Sequence, residues 1–436
     1  MAAIDILILS NGPGELTTWV RPVVQALRQH VNCPMRLSLI LAPCPNASGQ
    51  EVAIAQTYPE LDRIQAAEHF LPFLLRGKTA ENWDWAQQGL VIFLGGDQLF
   101  AVMIAKRLGY KLLVYAEWET RWHRWVDRFG VMKPDLIQQA PARYAHKLTV
   151  VGDLMADEAQ KPKHNTFQAV PNPAISATTQ TQTQTDSPLI GLLPGSKAAK
   201  LAQGVPLSLA IAERIWQVRP QTRFVIPVAP TLDLPTLAKF ADPKQNPVLT
   251  KFGQISAELV IANDQPYLQT ASGRQIHLWK KFPAYDLLKQ CELCLTTVGA
   301  NTAELGALAV PMIVLLPTQQ LDAMRAWDGF PGLLANLPGI GTLFAYGINT
   351  WYLQQFARQR RLFAWPNIWA GAEIVPELLG ELQPQEVAEL VLEWLAHPEQ
   401  LQQIRQNLQH VRGNPNAAQK LAQLAQTLLV EMNAVR

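Results

Sequence analysis

The sequence predicts an α/β protein made of two domains, each built on a mainly parallel sheet. Three observations support this fold class. Short apolar runs rich in β-branched residues recur along the chain, segments with helical spacing separate several of them, and the pattern stops once and then restarts. With 436 residues, 48% of them hydrophobic, the chain is long enough to bury two or three substantial cores.

The apolar runs place the elements in order along the chain. Strands are predicted in the first part at residues 4–9, 36–41, 90–94, 111–115 and 148–151. After a polar, proline-containing stretch of low complexity, further strands are predicted at residues 189–193, 223–228, 275–278, 293–298 and 312–316. The resulting division is a first domain at 1–158, a linker at 159–188, a second domain at 189–380 and C-terminal helices at 381–436.

Composition excludes several classes of protein. The 37 basic residues nearly balance the 35 acidic ones, so the chain lacks the large positive net charge that is typical of nucleic-acid-binding proteins. Four cysteines argue against a disulfide scaffold and fit a reducing compartment. The sequence shows no basic leader and no apolar run of the ~18 residues that a membrane-spanning helix needs. We therefore expect a cytoplasmic protein.

The first strand ends in Asn-Gly-Pro-Gly-Glu, where a helix pattern begins. Gly12 and Gly14 would let the backbone turn sharply and a ligand approach it closely, and Glu15 could bind ligand hydroxyls. An ordinary strand-to-helix turn, with Glu15 stabilising the helix start, explains the same residues at least as well. The stretch lacks the GxGxxG pattern of dinucleotide-binding folds.

Two similar turns open the second half. In Leu-Leu-Pro-Gly-Ser-Lys, Gly195 would admit an anion, Ser196 could cap a helix and Lys197 supplies charge, although the spacing is not that of a P-loop. The third turn contains Gly299, with Asn301 and Thr302 as helix caps. Glu304, predicted in the first turn of that helix, suits a bidentate bond to a ribose diol. An interaction of Glu304 with the helix dipole is an equally good explanation.

Six stretches, in the same order over most of the chain, resemble lipid-A-disaccharide synthase. They lie at residues 94–100, 114–124, 151–158, 192–200, 298–305 and 365–379. The resemblance implies the GT-B fold, in which two Rossmann-like domains face each other across a cleft. This variant most resembles a branch of such relatives in photosynthetic bacteria.

The resemblance also implies an activity. It indicates an inverting hexosyltransferase that moves a sugar from a UDP-sugar to an amphiphilic lipid or glycolipid acceptor, without a metal ion or other cofactor. The donor residues implied in the second domain are Gly195, Ser196, Lys197, Gly299, Asn301, Thr302, Glu304, Asn367 and Gly371. Asp97 falls where the family carries its general base, and its alternative role is to cap a turn at the end of a strand.

Departures from the family pattern leave two other functions open, a nucleotide-sugar epimerase of the same fold and a non-catalytic nucleotide-sugar-binding protein. The Gly12–Glu15 loop is rebuilt relative to the family, and a homodimer is implied only by the resemblance. Aromatic or aliphatic residues occur together with basic ones at 68–78, 118–128 and 351–365, as on a membrane-facing surface or in an ordinary core. Peripheral contact with a membrane is therefore one of two expectations for these stretches.

Overall fold

The computed structural model describes residues 4–44, 47, 49–156, 187–230, 232–317, 362–412 and 415–434. Contacts divide the chain into two compact units. The first comprises Met1–Lys161 and Arg412–Arg436, and the second comprises Pro162–Val411. Apart from its last two residues, the predicted linker at 159–188 lies outside the described residues.

The first unit contains a sheet of seven parallel strands in the order β3-β2-β1-β4-β5-β6-β7. The strands are β1 Ile4–Ser10, β2 Met35–Leu41, β3 Arg63–Gln65, β4 Gly89–Phe93, β5 Lys111–Ala116, β6 Arg128–Val131 and β7 Leu148–Val150. All five predicted strands are confirmed. The short strands β3 and β6 were not predicted, because three or four residues carry too little pattern to identify a strand.

Six α-helices of the first unit lie between its strands along the described part of the chain, at least one in each connection except that from β5 to β6; the connection from β6 to β7 contains one short helix. They are α1 Pro13–Glu15, α2 Arg21–His30, α3 Glu51–Gln56, α4 Phe70–Arg76, α5 Gln98–Leu108 and α6 Asp135–Gln139. A π-helical turn at Leu16–Val20 joins α1 to α2, so the chain stays helical from the end of the first turn to His30. Such turns are rare and occur often beside functional sites.

The second unit contains an eight-stranded sheet in the order β10-β11-β12-β9-β8-β13-β14-β15. Its strands are β8 Leu189–Leu193, β9 Arg223–Pro227, β10 Ala257–Ala262, β11 Gln265–Thr270, β12 Gln275–Trp279, β13 Leu293–Thr297, β14 Met312–Pro317 and β15 Glu377–Gly380. The two pairs that involve β11 are antiparallel, and the remaining pairs are parallel. The five predicted strands are confirmed here too.

The described residues of the second unit contain seven α-helices. They are α7 Ala198–Val218, α8 Leu234–Lys239, α9 Tyr285–Leu288, α10 Ala300–Ala307, α11 Trp365–Ala370, α12 Pro384–Ala396 and α13 Pro398–Val411. The parallel part of the sheet, from β12 to β15, repeats the strand order of the first unit. Both sheets therefore have the doubly wound order in which the direction of strand addition reverses once, between β1 and β4 and between β8 and β13.

Strand β1 shows why the apolar runs are almost continuous. Ile6 and Ile8 point into one core of the first unit, whereas Leu7 and Leu9 point into the core on the other face of the sheet. All four side chains are fully buried. Because successive side chains alternate between faces, a parallel sheet covered on both sides needs apolar residues at every position.

The last helix, α14 Ala417–Ala434, returns to the first unit, where it packs on α2. Leu421 and Leu428 are buried in the core on that side of the sheet. Gly130 on β6 leaves room for this packing, since a Cβ there would lie 2.7 Å from Leu421 Cδ1. The sequence grouped residues 381–436 together, whereas the structure assigns α12 and α13 to the second unit and α14 to the first. In the described ranges, no helix is long and apolar enough to cross a bilayer.

Candidate functional site

The predicted site residues follow the strands at which each sheet reverses its order. In the first unit the Gly12–Glu15 turn follows β1, and Asp97 follows β4. In the second unit the Gly195 turn follows β8, and the Gly299 turn follows β13. The carboxyl ends of parallel strands at such a reversal form the crevice where doubly wound proteins bind their ligands.

The Gly195 turn has a backbone conformation that favours glycine. Its φ is +99°, and a Cβ there would lie 3.0 Å from Cβ and Cδ of Lys200. Helix α7 begins at Ala198, so Lys197 occupies the N-cap position and the expected cap by Ser196 is wrong. Ser196 and Lys197 are exposed at the start of this 21-residue helix. Its N-terminal N–H groups and dipole favour an anion at this turn.

Polar groups from the end of β13 lie beside the Gly195 turn. Thr297 Oγ1 would lie 3.4 Å from a Cβ at Gly195, and it is buried without a hydrogen-bond partner among the described residues. Lys200 Nζ donates a hydrogen bond of 2.6 Å to the Val298 carbonyl. Burial, and then the charge of Lys197, lower the pKa of Lys200. The two turns of the second unit therefore form one continuous polar edge.

The Gly299 turn begins helix α10. Gly299 is the N-cap with φ of +140°, and Thr302 Oγ1 donates to its carbonyl at 2.8 Å. The same hydroxyl accepts a hydrogen bond from Trp365 N at 3.2 Å, and Thr302 is fully buried. Thr302 thus joins the starts of two helices, whereas Asn301 is half-buried beside it.

Glu304 lies in the second turn of α10, so its predicted place in the first turn is wrong. The side chain is half-buried, and no residue in the described part of the chain donates a hydrogen bond to its carboxylate. Burial raises the pKa of Glu304 to about 7. A carboxylate that is partly removed from water without a partner is suited to bind a ligand that brings its own donors.

Asn367 and Gly371 lie at the two ends of helix α11. The Asn367 amide donates to the Val375 carbonyl and to Glu377 Oε1, at 2.8 and 2.7 Å. Its oxygen accepts from the backbone N–H groups of residues 374 and 375, at 2.8 and 2.9 Å. Because both amide hydrogens and the oxygen are used internally, Asn367 holds this segment together and offers a ligand little hydrogen bonding. Gly371 ends the helix with φ of +64°, and its role in donor binding stays a prediction.

In the first unit the Glu15 carboxylate folds over Gly12. A Cβ at Gly12 would overlap a Glu15 carboxylate oxygen, so a larger residue at position 12 would displace the Glu15 side chain from this place. Burial raises the pKa of Glu15. Gly14 is exposed, has open space around it, and accepts hydrogen bonds from the hydroxyls of Thr17 and Thr18 at 3.0 and 2.8 Å.

Asp97 is the N-cap of helix α5. Its Oδ1 accepts a hydrogen bond of 2.8 Å from Leu99 N, and the residue is exposed. This is the capping role that its position at the end of a strand also allowed. Its role as general base stays a prediction.

Glu117, which the sequence analysis did not select, follows β5 directly. It is half-buried, and burial is the main reason that its pKa rises to about 7. Asp153 and Glu15 raise this pKa further, whereas Arg412 lowers it. Arg412 forms an ion pair with Asp153, and both side chains are almost fully buried. A strand-end carboxylate was visible in the sequence, but the charges that surround it come from distant parts of the chain.

Known proteins similar to this chain were found by sequence, although no protein-family model matches it. Lipid-A-disaccharide synthases of Syntrophus aciditrophicus, Nitrosococcus oceani and Trichlorobacter lovleyi are 24%, 25% and 23% identical over 56%, 76% and 78% of this chain. The matches cover 50%, 72% and 75% of those proteins, so the chain spans about half the length of the first. The chain is a divergent relative of lipid-A-disaccharide synthases.

Solved structures show the fold of this relative of lipid-A-disaccharide synthases. A protein of Listeria monocytogenes named as a UDP-N-acetylglucosamine 2-epimerase aligns over 97% of this chain and 94% of its own, with a TM-score of 0.52 and 13% identity. The UDP-GlcNAc 2-epimerase of Neisseria meningitidis, bound to UDP-GlcNAc, aligns over 99% and 100%, with a TM-score of 0.50 and 13% identity. The fold is GT-B, with two Rossmann-like domains.

Proposed function

We propose that this chain is an inverting glycosyltransferase, a hexosyltransferase that moves a sugar from a UDP-sugar to an amphiphilic acceptor. The observation that carries the proposal is the half-buried Glu304 carboxylate, which has no hydrogen-bond partner among the described residues and lies in the helix that begins at the Gly299 turn. Similarity to lipid-A-disaccharide synthases supports the transferase class.

The second unit would bind the nucleotide. The Gly195 turn would admit the diphosphate, which the N–H groups at the start of α7 and the ammonium groups of Lys197 and Lys200 would stabilise. Glu304 would accept hydrogen bonds from the two ribose hydroxyls. These groups can stabilise the leaving diphosphate by themselves, so the proposal requires no metal ion.

The first unit would bind the acceptor. In an inverting transfer a base removes the proton of the acceptor hydroxyl while its oxygen attacks the anomeric carbon, and the C–O bond to UDP breaks on the opposite side. The resemblance gives this role to Asp97. An epimerase would convert the UDP-sugar without an acceptor, and a binding protein would convert nothing. Product analysis with and without a lipid acceptor separates these alternatives.

Titration calorimetry with UDP tests the proposal. We expect the wild type to bind UDP and Glu304→Gln to lose at least about tenfold in affinity, since a charge-assisted hydrogen bond is worth ~1.5–3 kcal/mol. Glu386→Gln is the matched control, because Glu386 is an exposed acid in the first turn of α12 in the same unit. Absence of UDP binding by the wild type, or equal affinity in Glu304→Gln, contradicts the proposal.

Peripheral membrane contact is a further part of this proposal. Helix α4 buries Phe70, Phe73 and Leu74, whereas Leu71 and Leu75 are 56% and 63% exposed. The exposed side chains of Arg76 and Lys78 follow directly. Apolar side chains next to cations suit an anionic membrane surface.

The two other aromatic and basic stretches give less support to a membrane contact. Residues 118–125 form a loop that follows β5, which ends at Ala116. The stretch at 351–365 lies mostly outside the described residues.

Sedimentation with vesicles tests the membrane contact. We expect the wild type to bind phosphatidylglycerol vesicles in preference to phosphatidylcholine ones, and the double change Leu71→Ser, Leu75→Ser to weaken this binding. The control is Val218→Ser, which changes an equally exposed apolar residue in the second unit. Unchanged sedimentation of the double variant would rule out this surface.

A further inference from the structure

Buried polar groups converge on Gly95, which follows β4 in the first unit. Ser10 is fully buried at the end of β1, and among the residues that the structure describes its hydroxyl has no hydrogen-bond partner. Asn11 Oδ1 is likewise buried without a partner. A Cβ at Gly95 would lie 3.3 Å from Ser10 Oγ, 2.8 Å from Asn11 Oδ1 and 3.4 Å from Glu15 Cγ.

Such groups are costly unless something satisfies them. Each buried polar atom without a hydrogen-bond partner lowers the stability of the folded protein by roughly 1–3 kcal/mol, so native proteins contain few such atoms. Here they lie after β1 and against the backbone of Gly95 after β4, where the order of the sheet reverses, and a side chain at position 95 would collide with them. A ligand with hydroxyl groups would supply both the donors and the acceptors that these atoms lack.

Glu117 directly follows the neighbouring strand β5 and is half-buried. Its charged or titratable neighbours are Glu15 after β1, Lys133 after β6, Asp153 after β7, Tyr115 on β5 itself and Arg412 at the return of the chain to the first unit. Arg412 is paired with Asp153, and the exposed Trp118 donates a side-chain hydrogen bond to Glu117.

We propose that Ser10, Asn11 and Glu15 form a hydroxyl-binding subsite for the acceptor sugar, and that Glu117, instead of Asp97, accepts the proton of the reacting hydroxyl. This inference rests on the proposed function. The O–H bond breaks with its proton going to a Glu117 oxygen, the acceptor oxygen bonds to the anomeric carbon, and UDP leaves with the electron pair of the C–O bond. Glu117 then returns its proton to water.

The surroundings of the two carboxylates fit this assignment. A general base works best when its pKa is close to the pH at which it acts, and the pKa of Glu117 is raised to about 7, mainly by burial. Asp97 is exposed and uses a carboxylate oxygen to cap α5. Below its pKa Glu117 is protonated and cannot accept a proton, so turnover should increase as the pH rises through about 7.

Carbon-13 NMR of protein labelled at the glutamate carboxyl groups tests the subsite without requiring turnover. We expect one resonance, absent from Glu117→Gln, to titrate near neutral pH and to shift when methyl N-acetylglucosaminide is added. Glu15→Gln should abolish the shift with sugar. Glu119→Gln is the control, because Glu119 lies two residues away but is exposed and paired with Arg121. The inference is overturned if the Glu117 resonance titrates in the ordinary glutamate range, or if its chemical shift does not change when the sugar is added.

Rates and UDP affinity separate this inference from the proposed function. With a UDP-sugar that the wild type converts, Glu117→Gln should lower kcat ~100-fold, and more than Asp97→Asn, whose amide still caps the helix. A larger loss in Asp97→Asn overturns the assignment. Glu117→Gln should keep the wild-type affinity for UDP. If the wild type does not bind UDP, the proposed function fails, and the NMR result alone decides whether the hydroxyl-binding subsite exists.

Discussion

At the residue scale, each sheet carries a glutamate beyond the carboxyl end of a strand, and burial raises its pKa to about 7. These residues are Glu117 in the first unit and Glu304 in the second. A half-buried carboxylate that is not paired with a cation does not stabilise the folded unit that contains it. Such groups occur where a ligand supplies the missing interactions.

Glu304→Gln should therefore stabilise the ligand-free protein at alkaline pH. Because the folded-state pKa is raised above the ordinary value of 4.5, ionisation of Glu304 costs stability as the pH rises from that value through about 7, and the cost is complete above it. The shift corresponds to at most about 3 kcal/mol.

Urea unfolding at pH 5 and pH 8 measures this difference. The variant should gain more over the wild type at pH 8, while Glu386→Gln should follow the wild type at both. A variant that is less stable than the wild type at pH 8 would show that the folded protein stabilises the Glu304 carboxylate.

The sequence predicted Glu304 as a binding residue but missed Glu117. Glu304 lies in the helix that begins at the Gly299 turn, and the composition of that turn already suggests a ligand. The environment of Glu117 depends on Asp153 and on Arg412, which is almost 300 residues further along the chain, and no local pattern contains that information.

At the scale of elements, packing fixes the turns that the sequence predicted. Gly204 lets α7 lie directly against the Gly195 turn, since a Cβ there would be 2.8 Å from the Pro194 carbonyl oxygen and 2.9 Å from Pro194 Cβ. Gly306 lets α10 and α11 pack closely, since a Cβ at this position would lie 2.7 Å from Pro366 Cγ. The sequence showed that turns exist at these places, but only the packed structure shows which glycines hold them there.

Gly204→Ala should disturb the nucleotide site from a distance. The new methyl group would meet backbone atoms, so the Gly195 turn must shift, at a cost of ~1–3 kcal/mol in stability and with weaker binding of UDP. Thermal unfolding and calorimetry measure the two effects. Gly14→Ala is the control, because nothing lies within 4 Å of a Cβ at Gly14. Wild-type affinity in Gly204→Ala would show that the turn does not depend on this packing.

At the scale of the whole molecule, the chain leaves the first unit after β7 and returns to it at Arg412. Helix α14 completes the core on one face of the first sheet. The helical pattern of the C-terminal residues was clear in the sequence. The pattern could not show which sheet each helix covers, because an apolar stripe fits any apolar surface of similar shape.

Leu421→Ala should destabilise the first unit by ~2–4 kcal/mol, the usual cost of emptying a buried leucine site. Hydrogen exchange followed by mass spectrometry should show faster exchange in β1, β4 and β5 and little change in β8 and β13. Val430→Ala, on the same helix but 54% exposed, should exchange like the wild type. Faster exchange confined to the second unit would contradict the assignment of α14.

The central claim is that the carboxyl edge of the second sheet binds a uridine nucleotide. Differential hydrogen exchange of the wild type with and without UDP tests it most directly, because it reports where the ligand binds. The account predicts protection concentrated at residues 194–200 and 298–305, and loss of that protection in Glu304→Gln. Protection confined to the first unit, or none at saturating UDP, would contradict it.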